Sequence, residues 1–434
     1  MGSESPTVRL GDVCTKIGSG ATPRGGKDSY LDDGPFTLVR SQNVLNNSFS
    51  WRGLAYISDK QAAALGNVEL QPQDVLLNIT GDSVARCCQL DPRVLPGRVN
   101  QHVAIIRPDS SRMHPGYLRY YLTSPGMQAH MLALASSGAT RNAITKAMIE
   151  SFEVPAPPLD EQRRIASLLG ALDDKVELNR QMRFSLDDVA QAVFKSWFVD
   201  PVGPAWPSGG GTLPDGWSVC RLGDQVDIAR GLSYAGSGLV DDGDGLPLHN
   251  LNSVRAGGGY KDNGLKWYSG KHAARHVVRA GDLIIANTDL TQNLEVIGSA
   301  AVIPSRFGSN SLFSHHLYRV RPGKGSPLTT TYLAALLREP RFHAVVAGFT
   351  NGTTVNMLPM DGLQMPRIIA PPAELLARFD QFARLVRERA EKLEDEMVTL
   401  RLLRDGLLPR LLSGALNVAG EAQQRQKQPT TCDS

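Results

Sequence analysis

Thr140-Arg141-Asn142 sets a planar guanidinium and an amide directly after Ser136-Ser137-Gly138, small residues that let backbone approach a phosphate. Thr353, Thr354 and Asn356 stand at the matching place later in the chain. A second pair of polar segments, Arg40-Ser41-Gln42-Asn43 and His249-Asn250-Leu251-Asn252, also occupies corresponding positions, each after a β-prone run. Forked donors and donor–acceptor amides are the groups that read base edges in duplex nucleic acid, while cations and backbone amides hold its phosphates. Arg24, Lys27, Arg98, Lys261 and Lys266 are candidate phosphate contacts on this reading. A solvated polar loop explains any one of these segments; their recurrence at matching places favours contact with DNA.

Patterns that would carry catalysis fail at specific positions. Gly25-Gly26-Lys27 lacks the leading glycine of a phosphate-binding loop, where Ala21 stands, and has Asp28 where Ser or Thr is needed. Gly18-Ser19-Gly20 has Pro23 in place of the third glycine of a dinucleotide fingerprint. His315-His316 has no HExxH or His/Cys cluster beside it, so no metal site is expected. A Gly-x-Ser-x-Gly elbow is missing, as is the Asn/Asp-Pro-Pro-aromatic run that holds a flipped base for amino-methylation. The sequence therefore reads as a non-catalytic binding protein.

The matched segments belong to a repeat. One shift of 214 positions carries Gly138–Asn142 onto Gly352–Asn356 and Ala156-Pro157-Pro158 onto Ala370-Pro371-Pro372. With small insertions, Arg9-Leu10-Gly11-Asp12 matches Arg221-Leu222-Gly223-Asp224, Asp74 matches Asp282, His102 matches His316, and Arg107-Pro108 matches Arg321-Pro322. Two large equivalent units suit a bipartite ligand better than a single active site.

Positioning falls to two kinds of element. Short β-prone runs (Phe36–Val39, Val75–Ile79, Val103–Ile106, then Leu283–Ala286 and Leu317–Val320) predict strands, and 116–134 and 331–346 predict helices. After each Pro-rich exit the period changes. Ile165, Leu172, Asn179, Leu186 and Val193 fall at every seventh residue, and Phe379, Val386, Leu393, Leu400 and Leu407 repeat the series at the same shift. Such spacing predicts a long helix with a packing seam, about 38 residues or ~57 Å in each repeat. Asp160 and Glu161 suit the first N-terminus, and Pro201, Pro204 and Pro207 end that helix. The fold class expected is α+β, two tandem α/β units joined and followed by long helices, which a family resemblance at the junction implies pair as an antiparallel coiled coil. The boundaries read as 1–155, 156–200, 201–369 and 370–416, with a disordered tail at 417–434.

Composition sets looser limits. The chain has 434 residues, 41% hydrophobic and 21% charged, and no run long and apolar enough to cross a membrane, so a cytoplasmic protein is expected. Five cysteines without a CxxC read as reduced thiols. Residues 1–155 carry 15 basic and 13 acidic side chains and residues 201–369 carry 15 and 12, a mildly basic balance in each repeat. Aromatic residues make up 6%, which argues against the stacking platforms of a duplicated carbohydrate-binding scaffold, the alternative reading.

The junction between repeats carries a resemblance. Pro157-Pro158-Leu159-Asp160-Glu161-Gln162-Arg163-Arg164-Ile165, Leu169–Lys175, Glu177–Arg180 and Phe194–Asp200 resemble the central conserved region of type I restriction-modification specificity subunits. Leu403–Gly414 resembles the C-terminal conserved region of that family, and the Leu-Gly-Asp openings at 10–12 and 222–224 resemble its usual start. Glu374-Leu375-Leu376 departs from the first helix's Asp-Glu-Gln, so the two helices are similar without being interchangeable. The resemblance implies two target-recognition domains that each read half of an interrupted DNA site, set apart by helices that act as a ruler. It also implies docking of two modification subunits along the helix residues Ile165, Leu172, Asn179, Leu186, Val193, Phe379, Val386, Leu393, Leu400 and Leu407. Those adenine-N6 methyltransferase partners would hold S-adenosylmethionine, and restriction subunits would bring ATP, Mg and nuclease activity. No cofactor is expected in this chain.

Overall fold

The computed structural model describes residues 6–136, 143–261, 264–289, 295–352 and 356–416, with the Lys27 side chain outside that description. The chain forms two compact units, one of residues 1–178 with 397–434 and one of residues 179–396.

In the first unit a short antiparallel ladder, Thr7–Arg9 with Glu153–Pro155, joins the start and end of the repeat. Between them lies an antiparallel sheet in the order Cys14–Ser19, Val103–Pro108, Val75–Asn78, Cys87–Gln89. The runs Val75–Asn78 and Val103–Ile106 are buried at every residue, as expected of strands covered on both faces. A second sheet pairs Phe36–Val39 antiparallel with Ala55–Ile57 and parallel with Gly97–Val99. Helices Pro115–Leu122 and Pro125–Ser136 cover the first sheet through Tyr117, Leu118, Tyr120 and Met131.

The second unit repeats this plan. Ser218–Arg221 pairs with Arg367–Ala370, and the main sheet runs Val226–Arg230, Leu317–Pro322, Leu283–Ala286, Ala300–Val302. The smaller sheet has grown to five strands around Leu246–His249, which lies parallel to Ser311–Phe313. Repetition extends to buried charge. Arg107 grips Asp74 through Nε and Nη2 at 2.7 and 2.9 Å, and Arg321 grips Asp282 through the same two nitrogens. Asp74 also accepts from the Gln71 N–H and Asp282 from the Arg279 N–H, so both carboxylates are held from two sides. Such forked pairs fix geometry as well as charge.

Each helix expected at 116–134 and 331–346 is two helices. Pro125 and Pro340 cannot continue the preceding turn, so the second helix restarts at Pro125–Ser136 and Pro340–Ala347.

The long helices run Leu159–Phe194 and Ala373–Leu412, the first continuing through a π turn at Lys195–Val199. Their pairing is antiparallel in each unit. In the first, Asp173 meets Arg404 while Ile165 and Leu169 share a core with Leu408 and Leu411. In the second, Arg183 meets Glu394 at 3.4 Å and, further on, Phe194 meets Phe379 with ring centres 5.7 Å apart. Phe194, Phe198, Phe379 and Tyr332 then form an aromatic cluster that joins the helices to the second sheet's covering helix. Among the described residues no helix is long and apolar enough to cross a membrane, and no group of three or more His, Cys, Asp or Glu is placed to hold a metal.

Candidate nucleic-acid interface

The same three-part junction is built in both units, at the ends of the main-sheet strands. In the first, the N–H of Ile144 donates to the carbonyl of Ile79 at 2.9 Å, and Thr80 bridges Ala143. The N–H of Ile79 donates to the carbonyl of His102 at 3.0 Å, and Thr80 Oγ1 lies 2.6 Å from His102 Nδ1. In the second, Leu358 donates to Asn287 at 2.8 Å, Asn287 donates to His316 at 3.0 Å, and Thr288 Oγ1 lies 2.9 Å from His316 Nδ1. Thr288-Asp289 also forms a short ladder with Asn356-Met357.

The sequence-predicted loops precede these junctions in the chain. Thr140, Arg141 and Asn142, and their counterparts Thr353 and Thr354, lie outside the described residues. Their chain neighbours do not: Ala143 and Asn356 are each paired beside a threonine–histidine couple. The Arg40–Asn43 turn reaches the same place, because Asn78 Nδ2 donates to the Ser41 carbonyl at 2.8 Å and Asn100 N–H donates to Val39 at 3.0 Å. Across the repeat, Ser314 N–H donates to the His249 carbonyl at 2.8 Å and Asn287 Nδ2 donates to that of His315 at 3.0 Å. Three polar segments therefore converge in each unit.

Within them, the structure divides the candidates. Gln42 is exposed and donates to the Gly53 carbonyl at 2.8 Å, while half-buried Arg40 donates to the same carbonyl and stacks on Tyr30. Asn252, Lys266 and Arg24 are exposed and Lys261 is half-buried; Lys266 donates to the Tyr234 hydroxyl at 2.7 Å. Four expectations are overturned by burial. Asn43 is 0% exposed, its amide accepting from Arg40 N–H and donating to Ser50, so it shapes the turn. Arg98 is turned inward onto the Ala62 and Gly97 carbonyls and the Phe36 ring. His249 is enclosed by Tyr260 and Phe307, and burial, with Arg306 nearby, brings its pKa down to about 3. Asn250 caps the turn at Leu251 and donates to the Gly264 carbonyl at 2.6 Å. A polar segment must satisfy its own buried backbone before it can serve a ligand, and these four side chains do that.

Of the seam residues, Ile165, Asn179, Phe379 and Leu393 are buried, so those four are not free to meet a partner, while Leu172, Leu186, Val193, Val386, Leu400 and Leu407 are half-buried. Large apolar side chains left exposed on the long helices are Leu168, Leu178, Val398, Leu402 and Leu403 in the first unit and Met182, Phe184, Val189 and Leu385 in the second.

His102, His316 and the threonines beside them are not among the residues that the sequence marks for the site. The signal was present, since His102 and His316 match in the repeat, but histidine was weighed there only as a metal ligand. Burial, then His315, Lys266 and Arg230 in that order, hold His316 below the ordinary histidine range. Cations gathered around a neutral imidazole make this part of the second unit favourable to an anion.

Residues 3–186 match the family described as type I restriction modification DNA specificity domain. The MjaIX specificity subunit of Methanocaldococcus jannaschii is 24% identical over 318 residues, spanning 69% of this chain and 68% of its own length. The EcoKI specificity subunit of Escherichia coli is 22% identical over 415 residues, spanning 91% of this chain and 85% of its own. A solved type I restriction-modification S subunit from M. genitalium shares the fold, with a TM-score of 0.53 at 12% identity over 94% of this chain and 95% of that one. The junction motif, the duplicated units and these relatives make the chain similar to type I restriction-modification specificity subunits, with the family's specificity domain matched over residues 3–186.

Proposed function

We propose that this specificity subunit reads a bipartite, interrupted site in duplex DNA, one half with each unit, and does no chemistry itself. The observation that carries this reading is the duplicated junction, in which a returning segment (Ala143-Ile144 or Asn356–Leu358), a threonine–histidine couple and a polar turn meet at the same place in both repeats. Exposed Gln42, beside the Ser41 contact, and exposed Lys266, near His316, add donors next to it, and Arg24 and Asn252 are exposed elsewhere in the two units. Two modification subunits carrying S-adenosylmethionine would methylate adenine, and restriction subunits would add ATP- and Mg-dependent cleavage. The exposed apolar side chains of the long helices, not the seam, are the surfaces offered to those partners.

The test is reconstitution with the cognate modification subunit and genome-wide mapping of methylated adenines. Exchanging residues 201–369 for those of a relative should change one half of the methylated motif and leave the other intact. A change in both halves, or methyl transfer by the isolated chain, would refute the proposal. Binding of duplex should weaken steeply with salt, as counterion release requires.

A further inference from the structure

The threonine–histidine couple is rigid in both units for the same reason. Gly20 N–H donates to Val103 at 2.9 Å, and a Cβ on Gly20 would lie 2.2 Å from the carbonyl oxygens of Val99 and Asn100. Gly231 stands in the same relation to the second loop, where a Cβ would lie 2.1 Å from the Ser314 carbonyl oxygen. Both His-bearing turns, 99–103 and 313–317, are therefore clamped against the edge strand by backbone contact that only glycine allows. From below, the N–H of Ile79 or Asn287 donates to the carbonyl of His102 or His316, and a threonine holds Nδ1 of the ring. A side chain carried on such a turn is pre-oriented, which is what selective hydrogen bonding needs.

The residue so carried differs between units. Before His102 stands exposed Gln101, its Nε2 3.2 Å from His102 Nε2. With Thr80 accepting from Nδ1–H, His102 Nε2 is a lone-pair acceptor and one Gln101 N–H is spent on it. The other N–H and the amide oxygen remain. That donor and acceptor, side by side, complement N7 and N6 of adenine. Before His316 stands His315, stacked on it with ring centres 3.9 Å apart and half-exposed. A neutral imidazole has one N–H and one lone pair, but on ring nitrogens that face different directions, not side by side as in an amide.

We propose that Gln101 and His315 each read one base of their half-site, held in position by His102–Thr80 and His316–Thr288, and that Gln101 reads adenine. This rests on the DNA-reading function proposed above.

The experiment uses the full chain assembled with its modification subunit, methylation mapping, and duplexes carrying each substitution of the mapped motif. Gln101→Ala and Gln101→His should lower methylation of the cognate motif about tenfold or more. They should relax or change one A·T position of the first half only; His315→Ala should do so in the second half only. Thr80→Val should weaken discrimination at the Gln101 position while every position of the second half is read as in the wild type, which a loss of folding would not produce. Variants whose motif and rate stay within about twofold of the wild type, or a Gln101 substitution that lowers thermal stability and affects both halves alike, would overturn this assignment while the bipartite reading stands. A wild-type assembly that methylates no bipartite motif would overturn the functional reading itself, and this assignment with it.

Discussion

Asp173 accepts a hydrogen bond from Nη1 of Arg404 at 2.6 Å, joining two residues 231 positions apart in the sequence. Its other oxygen accepts from the Tyr120 hydroxyl at 2.6 Å and faces Arg119 at 3.4 Å. One carboxylate thus ties the opening helix, the returning helix and the covering helix of the first sheet. The two arginine side chains are only 12% and 16% exposed, so removing the carboxylate takes this partner from Arg119 and the Tyr120 hydroxyl and leaves Arg404 with Asp405.

Asp173→Ala should therefore destabilise the chain by about 2–3 kcal/mol, whereas Asp173→Asn, which keeps an acceptor for Tyr120, should cost less. Urea unfolding of the full-length variants measures both. A loss below about 0.5 kcal/mol for the alanine variant, typical of an exposed site, would mean that solvent replaces the carboxylate.

His249 predicts a pH dependence. Its folded pKa of about 3 lies below the ordinary value of 6.5 because burial disfavours the imidazolium. Between those values the unfolded chain binds the proton and the folded chain does not, so the contribution is present above about pH 6.5 and is lost as pH falls toward 3. Each pH unit in that window removes up to about 1.4 kcal/mol. His249→Leu should flatten the acid limb of a stability–pH curve; an unchanged limb would place the acid sensitivity elsewhere.

Much of this architecture was legible in the sequence because two signals survive without coordinates. Period and register are local, so Ile165 to Val193 and Phe379 to Leu407 showed the long helices. Duplication is self-checking, so Asp74 with Asp282 and Arg107 with Arg321 could be matched before their forked pairing was known. The conserved junction at 157–180 pointed to the family. Side-chain direction was not legible. Arg98 and Gln42 are both polar residues on β-rich segments, yet one turns onto Ala62 and Gly97 and the other reaches the surface. That choice depends on packing from strands distant in sequence. His102 and His316 were visible as a matched pair, but their value comes from Thr80 and Thr288, which only the fold brings to them.

The helix surfaces predict how partners attach. Leu402 is 68% exposed and Leu385 60%, on helix residues that their own cores leave uncovered. Leu402→Asp and Leu385→Asp should leave the melting temperature within a few degrees, since neither side chain is buried. Each should reduce co-purification of the modification subunit, because a charge placed in an apolar interface is left unpaired. Full assembly by both variants would move the docking surface off these residues.

Asn179 sets the last expectation. It occupies the seam position that the heptad otherwise gives to aliphatic residues, it is 0% exposed, and neither its Oδ1 nor its Nδ2 has a hydrogen-bond partner. A buried amide without partners costs roughly 1–3 kcal/mol. Polar seam residues are known to trade stability for a single register. Asn179→Leu fills the same volume without that penalty, so it should raise stability by about 1–2 kcal/mol. If the amide serves register, the gain should come with a loss of order, seen as a broader spacer-length distribution in the motifs methylated by the assembled enzyme. Denaturation gives the first quantity and methylation mapping the second. A leucine variant less stable than the wild type would show that the amide is satisfied in solution and that Asn179 strengthens the seam.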